Sequence, residues 1–257
     1  MKKPNIQEKV HAMTEGGQKM GTILRELMDV SKPGVNLLQI EALAQKRIKE
    51  AGGIPSFPTV EDYRWATCLC VNEVIVHGIP VDRVLCEGDL FTVDIGMIYK
   101  GYHTDTGWTK IVSDHPEKVD PKHAQFLKVG EDALWKAIDQ ARVGNRIGHI
   151  SKTIGDLVQG AGFGIVKSLV GHGVGSELHE PPQIPGFLRG SVEHTLPLIA
   201  GMTIAIEVIY TMGKPEVYYP NEDGWSIATR DGSMTAVFEH TVEVTADQPN
   251  VLTKPSK

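Results

Sequence analysis

Cysteine is scarce in this chain: Cys68, Cys70 and Cys86 are the three among 257 residues, and an odd number cannot all pair. A chain of this length fills a core without covalent staples, so the three read as free thiols of a reducing compartment, with the cytoplasm as the expected location. Basic runs are missing as well, the longest being Lys2-Lys3, and 32 acidic against 26 basic side chains leave a net charge of -6. Such a balance offers no footprint for DNA or RNA, and nucleic acid is not expected as a partner. Nor is there an apolar run fit for a membrane span, since "LPLIAGMTIAIEVIY" is too short and carries Glu207. Gln7, Glu8 and Lys9 stand where a secretory signal would be apolar, so no export is expected. What is present is 41 % hydrophobic residues, enough for a globular core.

The periodicity of those apolar residues gives the organisation. Ile6, Val10, Met13, Met20, Ile23, Leu24 and Leu27 recur at helical spacing over about 5–30. Leu37, Ile40, Leu43 and Ile48 repeat the pattern over about 36–51, before Gly52-Gly53. Between about 67 and 110, "TCLCVNEVIVHGIP", "DLFTVDIGMI" and "GYHTDTGWTKIV" are rich in β-branched and aromatic residues and read as strands. The scheme then restarts, with helices near 122–142 and 147–162 and strands in "GFGIVKSLVGHGVG", "GMTIAIEVIYTM" and "MTAVFEHTVEVT". A shift of 110 places Gly34 on Gly144, Leu37 on Ile147, Ile40 on Ile150 and Ala51-Gly52 on Ala161-Gly162, though it fails beyond these helices. The chain is therefore expected to be one α+β domain of two similar halves, about 1–115 and 116–257, with helices on one face of a mostly antiparallel sheet and a cleft between the halves.

Acidic residues sit where strands should be apolar. In "DLFTVDIGMIYKGYHTD" a two-residue turn at Tyr99-Lys100 would pair Asp94 with Asp105, Gly96 with His103 and Ile98 with Gly101. Phe91, Val93, Ile95 and Met97 would then face the helices, leaving Asp94, His103 and Asp105 on the other side. Opposed like charges destabilise a strand pair, so the aspartates are either solvated or gathered around a cation. Glu207 in "MTIAIEVIY" and Glu239 in "TAVFEHTVEV" repeat the oddity, and a buried glutamate is costly unless paired, protonated or bound to metal. Four carboxylates from two halves converging on one cleft stay ionised only around cations. His172 and His179, in the glycine- and proline-rich "GHGVGSELHEPPQIP", lie on a loop or irregular strand, and His77 closes the strand of "VNEVIVHGIP".

Asp94, Asp105, His172, Glu207 and Glu239 in this order, with "VNEVIVHGIP" upstream and "GHGVGSELHEPPQIP" between, resemble the type I methionine aminopeptidases over nearly the whole chain. The resemblance implies the pita-bread (creatinase/aminopeptidase) fold of two pseudo-symmetric halves. It further implies a dinuclear site in which Asp94 chelates one metal, His172 and Glu207 the other, and Asp105 and Glu239 bridge both. Four acids and one imidazole suit divalent Mn, Fe or Co, and the lack of a cysteine ligand argues against structural zinc. By the same resemblance the enzyme removes the N-terminal methionine of peptides and nascent proteins through a metal-activated water, with metals about 3.5–4 Å apart. Glu207 would shuttle the proton, His179 would hydrogen-bond the scissile carbonyl, and His77 would contact the next amide nitrogen.

Tyr63, Cys68 and Trp225 match positions lining the family's methionine pocket, and ordinary core packing is the other reading of them. Val60 and Leu178 stand where bacterial relatives often carry aromatics, and "EVIY" replaces the more usual Glu-Pro-Met, departures that touch the pocket's shape and not the ligand set. A monomer is expected, with a methionine-led peptide as partner and no membrane. A proline-specific aminopeptidase or dipeptidase of the same fold, or a non-catalytic peptide-binding relative, are the alternatives.

Overall fold

The computed structural model describes residues 6–255, so the Lys2-Lys3 pair and the first residue of the expected opening helix lie outside the described residues. Helices α1 (Ile6–Val30) and α2 (Leu37–Glu50) come first, followed by strands β1 (Ile54–Pro55), β2 (Thr67–Val71), β3 (Val74–Val76), β4 (Leu90–Tyr99) and β5 (Tyr102–Ile111). Helices α3 (Pro121–Ile138) and α4 (Ile147–Gly160) then precede β6 (Gly164–Ile165), β7 (Val170–Gly173), β8 (Glu180–Pro185) and β9 (Thr203–Thr211). The chain closes with β10 (Val217–Tyr218), β11 (Ile227–Thr229), β12 (Thr235–Glu243) and β13 (Asn250–Val251).

Local chemistry sets the helix ends. Asn36 caps α2 by accepting from Leu38 N–H, and Gln39 returns a bond to the Asn36 N–H, which together satisfy donors that the first turn leaves free. Asp120 caps α3 with Pro121 in the first turn. Both α2 and α4 stop at an Ala-Gly pair, and Gly52 and Gly162 take left-handed φ of 78° and 86°, the conformation that ends a helix most readily with glycine.

Every strand ladder among the described residues is antiparallel. One sheet runs β1-β4-β2 with β5 on the free side of β4, a second runs β13-β12-β9-β7-β8 with β6 on β9, and β10-β11-β3 forms a third. The proline-rich β8 lies at an edge, where a missing N–H breaks no ladder. The expected single strand in "GFGIVKSLVGHGVG" is divided into β6 and β7, which pair with different parts of β9.

Each helix pair covers one large sheet. Met20, Leu24, Leu27, Leu37, Ile40 and Ile48 pack on Phe91, Val93, Ile95 and Met97, as the alternation in β4 predicts. Phe126, Leu134, Ile150 and Ile154 pack on Ile204, Ile206, Val208 and Phe238 of β9 and β12. Truncating one such core side chain to alanine costs about 2–5 kcal/mol. With the helices on one side, the opposite faces of β4, β5, β9 and β12 remain to build a site.

Candidate metal centre

The β4–β5 hairpin turns at Lys100-Gly101, one residue later than the alternation suggests. Both residues have positive φ, 50° and 84°, the paired left-handed geometry that suits a two-residue hairpin and favours glycine. Asp94 therefore faces Gly107 and Asp105 faces Gly96, which corrects the expected Asp94–Asp105, Gly96–His103 and Ile98–Gly101 pairs. Because the register moves by an even number, the faces survive, and the two aspartates stand diagonally on one side. The register places Gly107 beside the acids: a Cβ there would sit 3.5 Å from Glu239 Oε2 and 3.5 Å from Asp94 Cβ, in ordinary van der Waals contact with both. His103 shares the aspartate face, yet its Nδ1 hydrogen-bonds Ser56 and it lies outside the cavity that the aspartates line.

From the other half, Glu207 on β9 and Glu239 on β12 are direct cross-strand partners. His172 on β7 pairs with Ala205 of β9. Its Nδ1 lies 2.9 Å from the Gly173 carbonyl, which places the proton on Nδ1 and turns a bare Nε2 toward the acids. That Nε2 is 3.5 Å from Glu207 Oε1 and 4.0 Å from Asp105 Oδ2. Asp105, His172 and Glu239 offer donor atoms within 4.8 Å of one another, and Asp94 is near enough for its charge to act on the Asp105 carboxyl.

Burial without compensation marks the cluster. Asp94 Oδ1, Asp105 Oδ1 and Glu239 Oε1 are buried with no hydrogen-bond partner, a state native proteins reserve for groups with another ligand. Burial pushes the Asp94 carboxyl up to about 7. It raises Glu207 well above the usual range, helped by the charge of Asp94. Asp105 and Glu239 rise for the same reason, then through the charges of their acidic neighbours. Protons or divalent cations relieve such a set, and oxygen donors with one imidazole form a fitting shell for hard to borderline dications.

His103 apart, the residues singled out from sequence line one cavity of about 600 Å³, Tyr63, Cys68, His77, Asp94, Asp105, His172, His179, Glu207, Trp225 and Glu239 alike. Phe57, Val60, Tyr63, Cys68, Leu178 and Trp225 line it together as an apolar wall. Tyr63 meets Trp225 edge-on at 5.0 Å between centroids and donates its hydroxyl to the Thr67 carbonyl at 2.9 Å. Core packing and pocket lining thus coincide in these side chains. His179 stands against His172 with ring centroids 4.4 Å apart, and His77 against Trp225 at 6.4 Å. Desolvation lowers all three imidazoles, His77 and His172 to about 4, so each is neutral at neutral pH.

Three contributors escape sequence reasoning. Phe57 and Gln183 line the cavity with no distinguishing local pattern. Glu41 did carry a signal, an acid one turn from Leu37 and Ala44 on the apolar stripe of α2. Its buried carboxylate accepts from Ala66 N–H at 2.8 Å, Thr67 N–H at 3.1 Å and Thr67 Oγ1 at 2.6 Å, fixing the start of β2 just before Cys68.

Known proteins share this arrangement. The model of metallopeptidase family M24 matches residues 11–246. Methionine aminopeptidase 1 of Bacillus subtilis is 37 % identical over 242 residues, covering 94 % of this chain and 95 % of that protein. The methionine aminopeptidase of Clostridium acetobutylicum is 35 % identical over 245 residues, with 95 % of each chain covered. The crystal structure of methionine aminopeptidase from Thermotoga maritima superposes with a TM-score of 0.92 at 36 % identity, covering 99 % of this chain and 100 % of that one. An acidic cavity built from both helix-backed sheets, in a chain matched almost end to end, has one conclusion: the chain belongs to metallopeptidase family M24.

Proposed function

We propose that this protein is a metal-dependent aminopeptidase that removes the N-terminal methionine from peptides and newly made proteins. The observation that carries this reading is the juxtaposition, in one cavity, of three unpartnered buried carboxylate oxygens with an apolar wall of Phe57, Val60, Tyr63, Cys68, Leu178 and Trp225. Its near full-length relatives named methionine aminopeptidase support the substrate.

Asp94, Asp105, His172, Glu207 and Glu239 would hold two divalent ions, with Asp105 and Glu239 shared between them. Mn²⁺, Fe²⁺ and Co²⁺ suit this donor set. Such ions, when bound, lower the pKa of water and polarise a carbonyl. The chain's own groups do the rest. The apolar wall takes the methionine side chain, where the thioether meets the rings of Tyr63 and Trp225. His179, neutral and beside His172 in the cavity, donates to the scissile carbonyl oxygen and stabilises its developing charge, a contribution typically worth about 10²–10³ in rate. His77 contacts the amide nitrogen beyond the scissile bond. Glu207, as a carboxylate, accepts the proton of the attacking water and hands it to the leaving amine, a transfer typically worth about 10²–10⁴.

A peptide-release assay tests this. Reduced, Mn²⁺- or Co²⁺-loaded protein is expected to free methionine from Met-Ala-Ser and to leave Ala-Pro intact. Cleavage of Ala-Pro in preference would assign a proline-specific peptidase, and no release from either peptide would leave a binding module.

A further inference from the structure

Asp105 and Glu239 lie on β5 and β12, which belong to different sheets, so no shared backbone ladder sets their spacing. Threonine hydroxyls cross the seam instead. Thr241 Oγ1 donates to the Asp105 carbonyl at 2.7 Å and accepts from the Asp105 N–H at 2.9 Å. In the opposite direction Thr106 Oγ1 donates to the Glu239 carbonyl at 2.8 Å. Each shared carboxylate is thus held through its own peptide group by a threonine from the other half. Thr106 and Thr241 are fully buried, and a hydroxyl that both donates and accepts there has no water to replace it. Behind them Thr253 Oγ1 accepts from Thr241 N–H at 3.2 Å and lies 2.8 Å from His240 Nδ1, tying the end of the chain to the same seam.

We propose that Thr241 and Thr106 are positioning residues that fix the separation of the Asp105 and Glu239 carboxylates and so tune the site to its divalent ions. The proposal rests on the reading that these two carboxylates hold metal between them. A strand-borne carboxylate moves with its backbone, and a metal site tolerates only about 0.2 Å of error in its ligand distances. The seam also contains its own control. Thr109 Oγ1 grips Val237 in the same double manner, 2.8 Å to its N–H and 2.8 Å to its carbonyl, on a residue that carries no ligand atom. Thr109 also meets Thr92 Oγ1 at 2.8 Å, so stability alone would make it at least the equal of Thr241; metal geometry separates them.

Calorimetric titration with Co²⁺, together with the visible absorption of the bound ion, distinguishes these cases. Thr241→Val, which keeps the shape and removes both bonds, is expected to weaken Co²⁺ binding about 10–100-fold and to alter the spectrum. Thr241→Ser restores both, and Thr109→Val keeps the wild-type affinity and spectrum while losing a comparable amount of thermal stability. Should Thr241→Val fail to fold, Thr106→Val, which releases the Glu239 carbonyl and the longer 3.3 Å contact with His240 Nδ1, is read in the same way and is expected to weaken and alter the bound ion. Equal affinities and spectra for the valine variants at 241 (or 106) and 109 would overturn the positioning role. A wild-type protein that takes up no Co²⁺ would instead remove the metal reading beneath it.

Discussion

Glu207 and Glu239 face each other directly across the β9–β12 ladder, two acids at opposed positions, each flanked by apolar residues such as Ile206, Val208, Val237 and Phe238. Like charges so placed repel, and among the described residues no lysine or arginine is paired with either to offset this; the neutral His172 approaches Glu207, at 3.5 Å. A bound dication resolves the conflict. Glu239→Gln and Asp105→Asn, which keep shape and remove charge, are therefore expected to lower the stoichiometry of Mn²⁺ binding in calorimetric titrations and to abolish peptide release. Unchanged stoichiometry in both variants would contradict the shared-ligand role.

Metal removal should soften the fold. A ligand present at about 100 times its Kd contributes about 2.7 kcal/mol, which for a chain of this size corresponds to about 5–10 °C in Tm. Differential scanning calorimetry with and without chelator at pH 7.5 checks this, and equal melting temperatures would count against it.

The metal-free protein should also respond to pH in an unusual sense. Its cluster carboxyls titrate above their unfolded values, Asp94 at about 7 and Asp105, Glu207 and Glu239 well above the ordinary range. The folded state then binds more protons than the unfolded chain, so stability falls as pH rises from about 4 through 7 and beyond. Urea midpoints of chelated protein are expected to be higher at pH 5.5 than at pH 8, with added Mn²⁺ recovering the loss at pH 8. A midpoint that rises with pH in the chelated protein would reverse the sign and refute the account.

On the proposed role, in which the imidazole would donate to the reacting oxygen and hold no ion, His179→Ala is expected to reduce kcat about 10²–10³-fold with metal content unchanged. Steady-state kinetics alongside elemental analysis of the purified variant separate this from a ligand role; a coincident loss of metal would make His179 a ligand.

Glu41 stands far from the metals in sequence yet anchors the strand that carries Cys68. Glu41→Ala leaves buried donors at Ala66 and Thr67 unpaired, at a cost of about 1–3 kcal/mol. A raised KM for methionine peptides is expected with it, because the apolar wall loses its support, and a wild-type KM in a folded variant would confine Glu41 to stability.

Most of the fold was legible because periodicity is a local property. The opening helix, the Leu37–Ile48 stripe ended by Gly52, and the alternation of Phe91, Val93, Ile95 and Met97 against the helices need no long-range information. The acids that line the cavity were legible for a related reason, since charge inside an apolar strand is visible in a short window. The hairpin register was not, because a turn is decided by which residues tolerate positive φ, and Lys100 takes that conformation beside Gly101 where the alternation alone favoured Tyr99. The proximity of Gly107 to Glu239 and the threonine seam were invisible in the sequence for a different reason. Both arise where residues more than a hundred positions apart meet, and neither leaves a local pattern.

The central claim is that Asp94, Asp105, His172, Glu207 and Glu239 gather in order to hold divalent cations. Anomalous diffraction from crystals grown with Mn²⁺ tests it most directly. The account predicts two strong peaks within coordination distance of these side chains, with Asp105 and Glu239 touching both. Peaks elsewhere on the molecule, or an acidic cavity that stays empty at saturating Mn²⁺ and neutral pH, would contradict it.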